Sequence, residues 1–181
     1  MISDKRLKIG PLFLLLLIVL LAGCAEETAL EETFSTDYFA VNYSSEWHVV
    51  TEQYVGMSEF VMFYFRDEHF DEQREEGING IGIVVEENVR FTAEQYHAAD
   101  DLEEMLGGIE ILDSGPIELA GIEGHERTYT TQINGDHVQF REIIIIDEDN
   151  TAYNITFYAR EAQVQEYQSE VDSFLSSFEL K

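Results

Sequence analysis

The chain has 181 residues, a length that suits one domain behind a leader, and carries 37 acidic against 10 basic residues for a formal net charge of −27. A surface of that sign repels phosphate backbones and anionic lipid head groups, which excludes nucleic acid and the bare membrane surface as partners of the folded part. One cysteine excludes an internal disulfide, so stability has to come from a core.

In chain order, Lys5, Arg6 and Lys8 form a positive start. Leu12 to Ala22 is an unbroken apolar run of eleven residues, and a small residue then precedes Cys24. This is the layout of a secretory signal over residues 1–23. The run falls short of the roughly 20 residues of a spanning helix. Leu21-Ala22-Gly23-Cys24 resembles the lipobox of prokaryotic lipoproteins. That resemblance implies cleavage before Cys24 and alkylation of its thiol by a diacylglyceryl group. The chain would then sit on the extracytoplasmic face of the cell membrane, held by its acyl chains at about 0.8 kcal/mol per buried methylene. An uncleaved anchor is the alternative, and it leads to the same side of the membrane.

Removing residues 1–23 takes three basic residues and Asp4 with it, which leaves 36 acidic against 7 basic residues and a net charge of −29. Self-repulsion of that size destabilises a compact state unless salt screens it. This points to a saline or alkaline habitat, with plain solubility as the simpler alternative. Residues 24–34 hold glutamates and little apolar content, and read as a flexible acidic tether. A single domain is expected over 35–181.

Tyr38 to Tyr43 reads as an aromatic, β-branched strand. Ser44-Ser45 turns the chain, and Trp47 opens a second strand through Val50. Ser58 to Phe65 is apolar nearly throughout, which predicts a strand central in the sheet. Asp67 to Asn79 is a charged loop, and Ile81 to Val85 a further strand. Thr92-Ala93-Glu94-Gln95 has the capping-box spacing, with Phe91 and Tyr96 placed as a hydrophobic staple. A helix follows, with Tyr96, Ala99, Leu102 and Met105 or Leu106 on one stripe, until Gly107-Gly108 stops it.

Two short strands, Ile109 to Leu112 and Pro116 to Leu119, then flank a turn at Asp113-Ser114-Gly115. Gly121 and Gly124 mark the next turn, and Glu126 to Ile133 alternates. Asn134-Gly135 is a type I′ hairpin signal, with Val138 to Ile146 as the return strand. A phase change between Phe140 and Ile143 suggests a bulge. Isoleucines 143–146 suggest a strand covered on both faces. Asp147 to Asn150 turns the chain, and Tyr153, Ile155, Phe157 and Ala159 face one way. A closing helix over about Ala162 to Ser176 carries Val164, Tyr167, Val171, Phe174 and then Phe178 on its packing side. The class is α+β, an antiparallel sheet flanked by helices, and two-sided cover argues for a three-layer αβα sandwich.

Three stretches carry a resemblance: Tyr38 to Trp47, Ile117 to Tyr129, and Ala152 to Phe157 with the closing helix and Ser177-Phe178. They resemble the PsbP-like family, whose namesake is the extrinsic photosystem II protein, and the DcrB-like lipoproteins of the same fold. Where the family often has proline, this chain has Ser44. The resemblance implies the fold and an assembly or stabilising role. It carries no catalytic motif, and nothing matches a binding segment for the photosystem.

For metal, Asp67, His69 and Asp71 in the acidic 67–76 loop offer carboxylates beside an imidazole. The loop lacks the turn glycine of an EF-hand, and diffuse attraction of cations is the bland reading. Asp147 to Asn150 lacks closing ligands. Counting outward from Asn134-Gly135 pairs Gln132 with His137 and puts His125 several rungs away, so those histidines do not share a site. His48 and His97 stand alone. No nucleophile elbow or phosphate loop is present. Trp47, Tyr38, Phe39, Tyr43 and Tyr54 fit a core better than a groove. Of two acceptor sequons, Asn42-Tyr43-Ser44 falls at a turn and Asn154-Ile155-Thr156 in mid-strand.

The function expected is a non-enzymatic, lipid-anchored accessory protein, with lipidation at Cys24, no cofactor, no specific metal, and an envelope protein as partner. A divalent-cation-binding envelope protein is the alternative, and an unrecognised hydrolase a third.

Overall fold

The computed structural model describes residues 30–67, 70–74, 77–99 and 108–181, with side chains of the first helix described to Tyr96. The expected leader and Cys24 lie outside these residues. Ten strands are described: β1 (Glu32–Ser35), β2 (Phe39–Tyr43), β3 (His48–Glu52), β4 (Glu59–Tyr64), β5 (Gly80–Glu86), β6 (Glu110–Leu119), β7 (Ile122–Ile133), β8 (Asp136–Ile146), β9 (Ala152–Arg160) and β10 (Glu179–Leu180). Helix α1 (Ala93–Ala99) lies between β5 and β6, and α2 (Val164–Ser176) follows a short 3-10 turn after β9.

Seven strands form one sheet in the order β3-β4-β5-β9-β8-β7-β6, and β1-β2-β10 form a small second sheet. Every pairing is antiparallel. The protein is thus a mainly antiparallel β structure with few helices.

The core lies between one face of the large sheet and α2 with β2. Val61, Phe63, Ile81, Ile83, Val85, Ile143, Ile145 and Ile155 are all buried on that face. From above, α2 lowers Val164, Tyr167, Val171, Phe174 and Leu175. Phe174 meets Phe63 edge-on at 5.1 Å, and Trp47 lies 5.8 Å from Phe174. Phe178 stacks on Phe39 at 5.4 Å. The helical spacing of these side chains turns one stripe inward, and burial at about 25 cal/mol per Å² of apolar surface holds it there.

Local signals explain the turns. Asn134 and Gly135 both take positive φ, 53° and 95°, as the I′ turn requires. Around them β7 and β8 pair in the counted register, Gln132 opposite His137. The capping box is formed: Thr92 N–H donates to Gln95 Oε1 at 3.0 Å, and Gln95 N–H to Thr92 Oγ1 at 3.2 Å. The stripe expected beyond Tyr96 falls outside the described side chains.

The structure departs from expectation at several points. β1 takes in residues 32–34 of the expected tether, because Phe34 packs on Phe39 and Phe63. β4 is second from the edge rather than central. Its outer-face side chains find local cover instead: Tyr54 lies 5.0 Å from Phe60, and Phe70 lies 6.1 Å from Tyr64. No turn forms at Asp113-Ser114-Gly115. Continuous pairing with β7 holds the stretch in β6, and a register shift between Ile111 and Asp113 absorbs the irregularity. The bulge expected between Phe140 and Ile143 does not occur, since β8 pairs without a shift on both sides. The apparent phase change comes from Glu142, a charged residue at a buried position.

Gly124 sits inside β7, while Ala120 and Gly121 make the turn with φ of 52° and 78°. A Cβ on Gly124 would lie 2.3 Å from the Ile144 carbonyl oxygen. Glycine is needed there for the close approach of β8.

Candidate functional site

Most residues that invite a chemical reading turn out to hold the fold. In the acidic loop, the Asp67 carboxylate accepts the Tyr167 hydroxyl at 2.7 Å and the Asn79 side-chain amide. Asn79 is fully buried and its Oδ1 accepts the Arg160 N–H at 2.9 Å. Asp71 accepts the Gln73 N–H at 2.9 Å and lies 3.7 Å from the Arg74 guanidinium. Both carboxylates therefore fasten the loop. His69 and Glu68, Glu75 and Glu76 lie outside the described residues. Among the described residues no three His, Cys, Asp or Glu side chains form a group that could hold a metal ion.

The Asp147 carboxylate accepts the N–H groups of Asp149 and Thr151 at 2.9 Å each, and Asn150 takes φ of 62°, so this stretch is a braced turn. Its other oxygen accepts the Tyr153 hydroxyl at 3.2 Å. Burial, helped by that carboxylate, pushes Tyr153 up to about 12. Burial likewise raises Tyr167, beside Asp67, and Tyr158, beside Tyr64.

His125 faces Ile144 and His137 faces Gln132. His48 lies 3.1 Å from the Arg66 guanidinium. Trp47 is buried, with its ring 4.6 Å from Phe65 and its N–H donating to Glu170 at 3.2 Å. Tyr38 and Tyr43 pack against the core. Asn42 sits in β2 beside a buried Ser44, and Asn154 in β9.

One polar cluster is buried within the large sheet. Arg127 and Glu142 lie opposite each other on β7 and β8. Both are buried, and Arg127 Nη2 meets Glu142 Oε2 at 2.6 Å. Asn154 donates to the other Glu142 oxygen at 3.0 Å and accepts from Thr156 at 2.9 Å. The pair lies on the face away from α2, beside the stacked rings of Tyr129 and Phe140 at 5.0 Å. Counting outward from Asn134-Gly135 would have found it, since 127 and 142 are equidistant from the turn. The cluster ties β7, β8 and β9 together and serves as structure.

A shallow recess of about 520 Å³ lies at the β7–β8 hairpin end, lined by Asp136, His137, Arg160, Glu161 and Ala162. Arg160 is taken up there by Asp136 at 3.1 Å.

The remaining candidate is apolar and exposed. The β3–β4 connection turns on Tyr54-Val55-Gly56-Met57, closed by the Met57 N–H on the Tyr54 carbonyl at 3.3 Å. Gly56 takes φ of 95°, which the turn requires of its third residue. Tyr54, Val55 and Met57 all face solvent. The chain enters the domain at the other end of β4: Ser45 Oγ donates to Glu31 at 3.5 Å, and the adjacent Trp47 packs on Phe65. From Phe65 back to Glu59 the strand runs about 20 Å.

An antiparallel seven-stranded sheet, with a closing helix and a small terminal sheet over one face, defines the class of the PsbP-like proteins. The chain belongs to that family, described as PsbP-like protein, which matches residues 24–180. Among solved structures it is similar to the cyanobacterial PsbP (CyanoP) of Synechocystis sp. PCC 6803, at 14% identity and a TM-score of 0.59, covering 89% of this chain and 99% of that one. It is similar to LpqN of Mycobacterium tuberculosis, described as involved in cell envelope biogenesis, at 12% identity and a TM-score of 0.54 over 79% of this chain and 83% of that one. A Bacteroides thetaiotaomicron structure matches at 14% identity and a TM-score of 0.57 over 84% of this chain, which spans about half, 49%, of that longer one. No curated protein sequence matches the chain. At these identities the likeness is one of fold.

Proposed function

We propose that this protein is a lipid-anchored accessory protein on the extracytoplasmic face of the cell membrane, which binds another envelope component and performs no catalysis. The observation that carries the reading is the disposition of the two ends of β4. The chain enters beside Ser45, and the exposed apolar turn Tyr54–Met57 stands at the far end. A chain tethered through Cys24 would hold that turn away from the bilayer. LpqN, whose description is cell-envelope biogenesis, gives the same reading support by fold alone. The photosynthetic setting of CyanoP is not carried over.

The three-layer αβα arrangement belongs to the same proposal. α1 approaches β7 and β8, and the face bearing Glu142 and Ile144 has to be covered, since both are buried.

The anchoring is tested by growing cells with a labelled fatty acid and fractionating their membranes. The wild type should carry label and sediment with membranes, and Cys24→Ala should lose both. Equal sedimentation of the two, without label in either, would refute the anchor.

A divalent-cation-binding protein using the 67–76 loop has weaker support, because Asp67 and Asp71 already serve as acceptors. Calorimetric titration with Ca²⁺ and Mn²⁺ decides it: saturable binding lost in Asp71→Ala would favour that reading, and broad, salt-suppressed heats would dismiss it.

A further inference from the structure

Six large apolar side chains are exposed among the described residues, and three of them, Tyr54, Val55 and Met57, belong to one four-residue turn. Val55 stands wholly in solvent, at 107% of its reference exposure. Turn positions in so acidic a chain are ordinarily filled by polar residues that bond their own backbone. An exposed valine there adds nothing to the core. The turn is also braced by its own contacts. The Tyr54 ring stands edge-on to Phe60 at 88°, and its hydroxyl bonds the Glu52 carboxylate. Carboxylates rim it. Glu52 and Glu59 flank the turn on its own hairpin. Ser58 N–H donates to the Val85 carbonyl at 2.8 Å, which brings Glu86 and Glu87 alongside.

We propose that this turn is the docking element for a protein partner that offers an apolar recess bordered by lysine or arginine. The inference rests on the reading of the chain as an anchored interaction protein and names its point of contact. Aromatic and methionine side chains are enriched at interface centres, where desolvation of a few anchors supplies most of the binding energy. A turn already held in shape loses little freedom on docking. The acidic rim fixes the sign of the partner and speeds encounter. The same rim opposes the alternatives. Anionic head groups would repel it, and a second copy of the chain would bring a like charge against it.

The test replaces Val55 with the photocrosslinker p-benzoylphenylalanine in the full chain in its own cells. Ser169, exposed on α2, takes the same group as a control. Position 55 should give one discrete protein adduct that position 169 does not, mapping to apolar residues beside lysine or arginine on the partner. With that partner purified, Tyr54→Ser and Val55→Ser together should weaken binding about tenfold or more. Glu86→Gln with Glu87→Gln should slow association and flatten its salt dependence. The melting temperature of Val55→Ser should match wild type, because the side chain is fully exposed. Equal adducts from both positions, no adduct from 55, or an adduct to lipid or to a second copy overturns the proposal. Fractionation of the same cells separates the two claims. Wild-type chain in the soluble fraction refutes the anchor whatever position 55 does. A wrong or missing adduct in anchored chain refutes the docking element alone.

Discussion

Arg127 and Glu142 are charged residues at buried positions, and their pairing is a condition of the fold rather than a bonus to it. Removing both ions from water costs several kcal/mol each, which the mutual contact and the Asn154 bond offset. Arg127→Ala leaves Glu142 uncompensated and should lower unfolding free energy by about 3–5 kcal/mol in urea titration. Arg127→Met with Glu142→Leu should recover most of that loss. If the single and double variants lose the same amount, the cost lies in packing and not in the orphaned charge. At Gly124 the constraint is steric. Gly124→Ala pushes a methyl into the Ile144 carbonyl, a backbone group with little room to move, and should cost about 1–3 kcal/mol by the same measurement.

At the scale of elements, β7 and β8 are joined by a turn whose two residues both need positive φ, and Gly135 meets that need without a side-chain clash. The first helix depends on its cap in a similar way. Thr92→Ala removes the acceptor for the Gln95 N–H and should cost about 1 kcal/mol, seen as faster hydrogen exchange at the start of α1. These are the parts that could be read in advance. A capping box, an Asn-Gly turn and a three-four spacing over Val164 to Phe178 are local, and local chemistry dictates them. β1 and β10 could not be read, because short, half-exposed strands exist only by pairing with β2, and β10 does so across more than a hundred residues. Asp113-Ser114-Gly115 has the composition of a turn yet runs as regular strand, because the continuous partner β7 decides, with the only register shift just before it, between Ile111 and Asp113. The exposed turn is illegible for a different reason: Tyr54 looks in sequence like the aromatics that do enter the core, and only the structure separates its exposed ring from the buried Trp47.

For the whole molecule, two ionic conditions set stability. Three of the few cations are spent within the domain: Arg127 on Glu142, Arg141 on Glu126 and Asp172, Arg160 on Asp136. The excess carboxylates are left to repel one another, so the melting temperature should rise as KCl is raised from low ionic strength. A flat or falling series would dismiss the saline adaptation. The second condition is alkaline. Tyr153, Tyr158 and Tyr167 hold their protons more tightly folded than unfolded. Above about pH 10 the unfolded chain sheds these protons first, so stability is level below that pH and falls as pH climbs toward 12. Tyr167→Phe should cost about 1 kcal/mol at neutral pH through the lost Asp67 bond and make the alkaline decline shallower. A decline as steep as wild type would remove Tyr167 from that account.

The small sheet also governs when the domain can be completed as the chain is made. β2 is made well over a hundred residues before its neighbour β10, whose pairing is extended by the Lys181 N–H closing on the Tyr38 carbonyl at 3.1 Å. Phe39 likewise waits for Phe178 to stack on it. Contacts of such sequence separation form late and slowly. The half-made domain therefore has an incomplete lid over its core until residues 178–181 arrive.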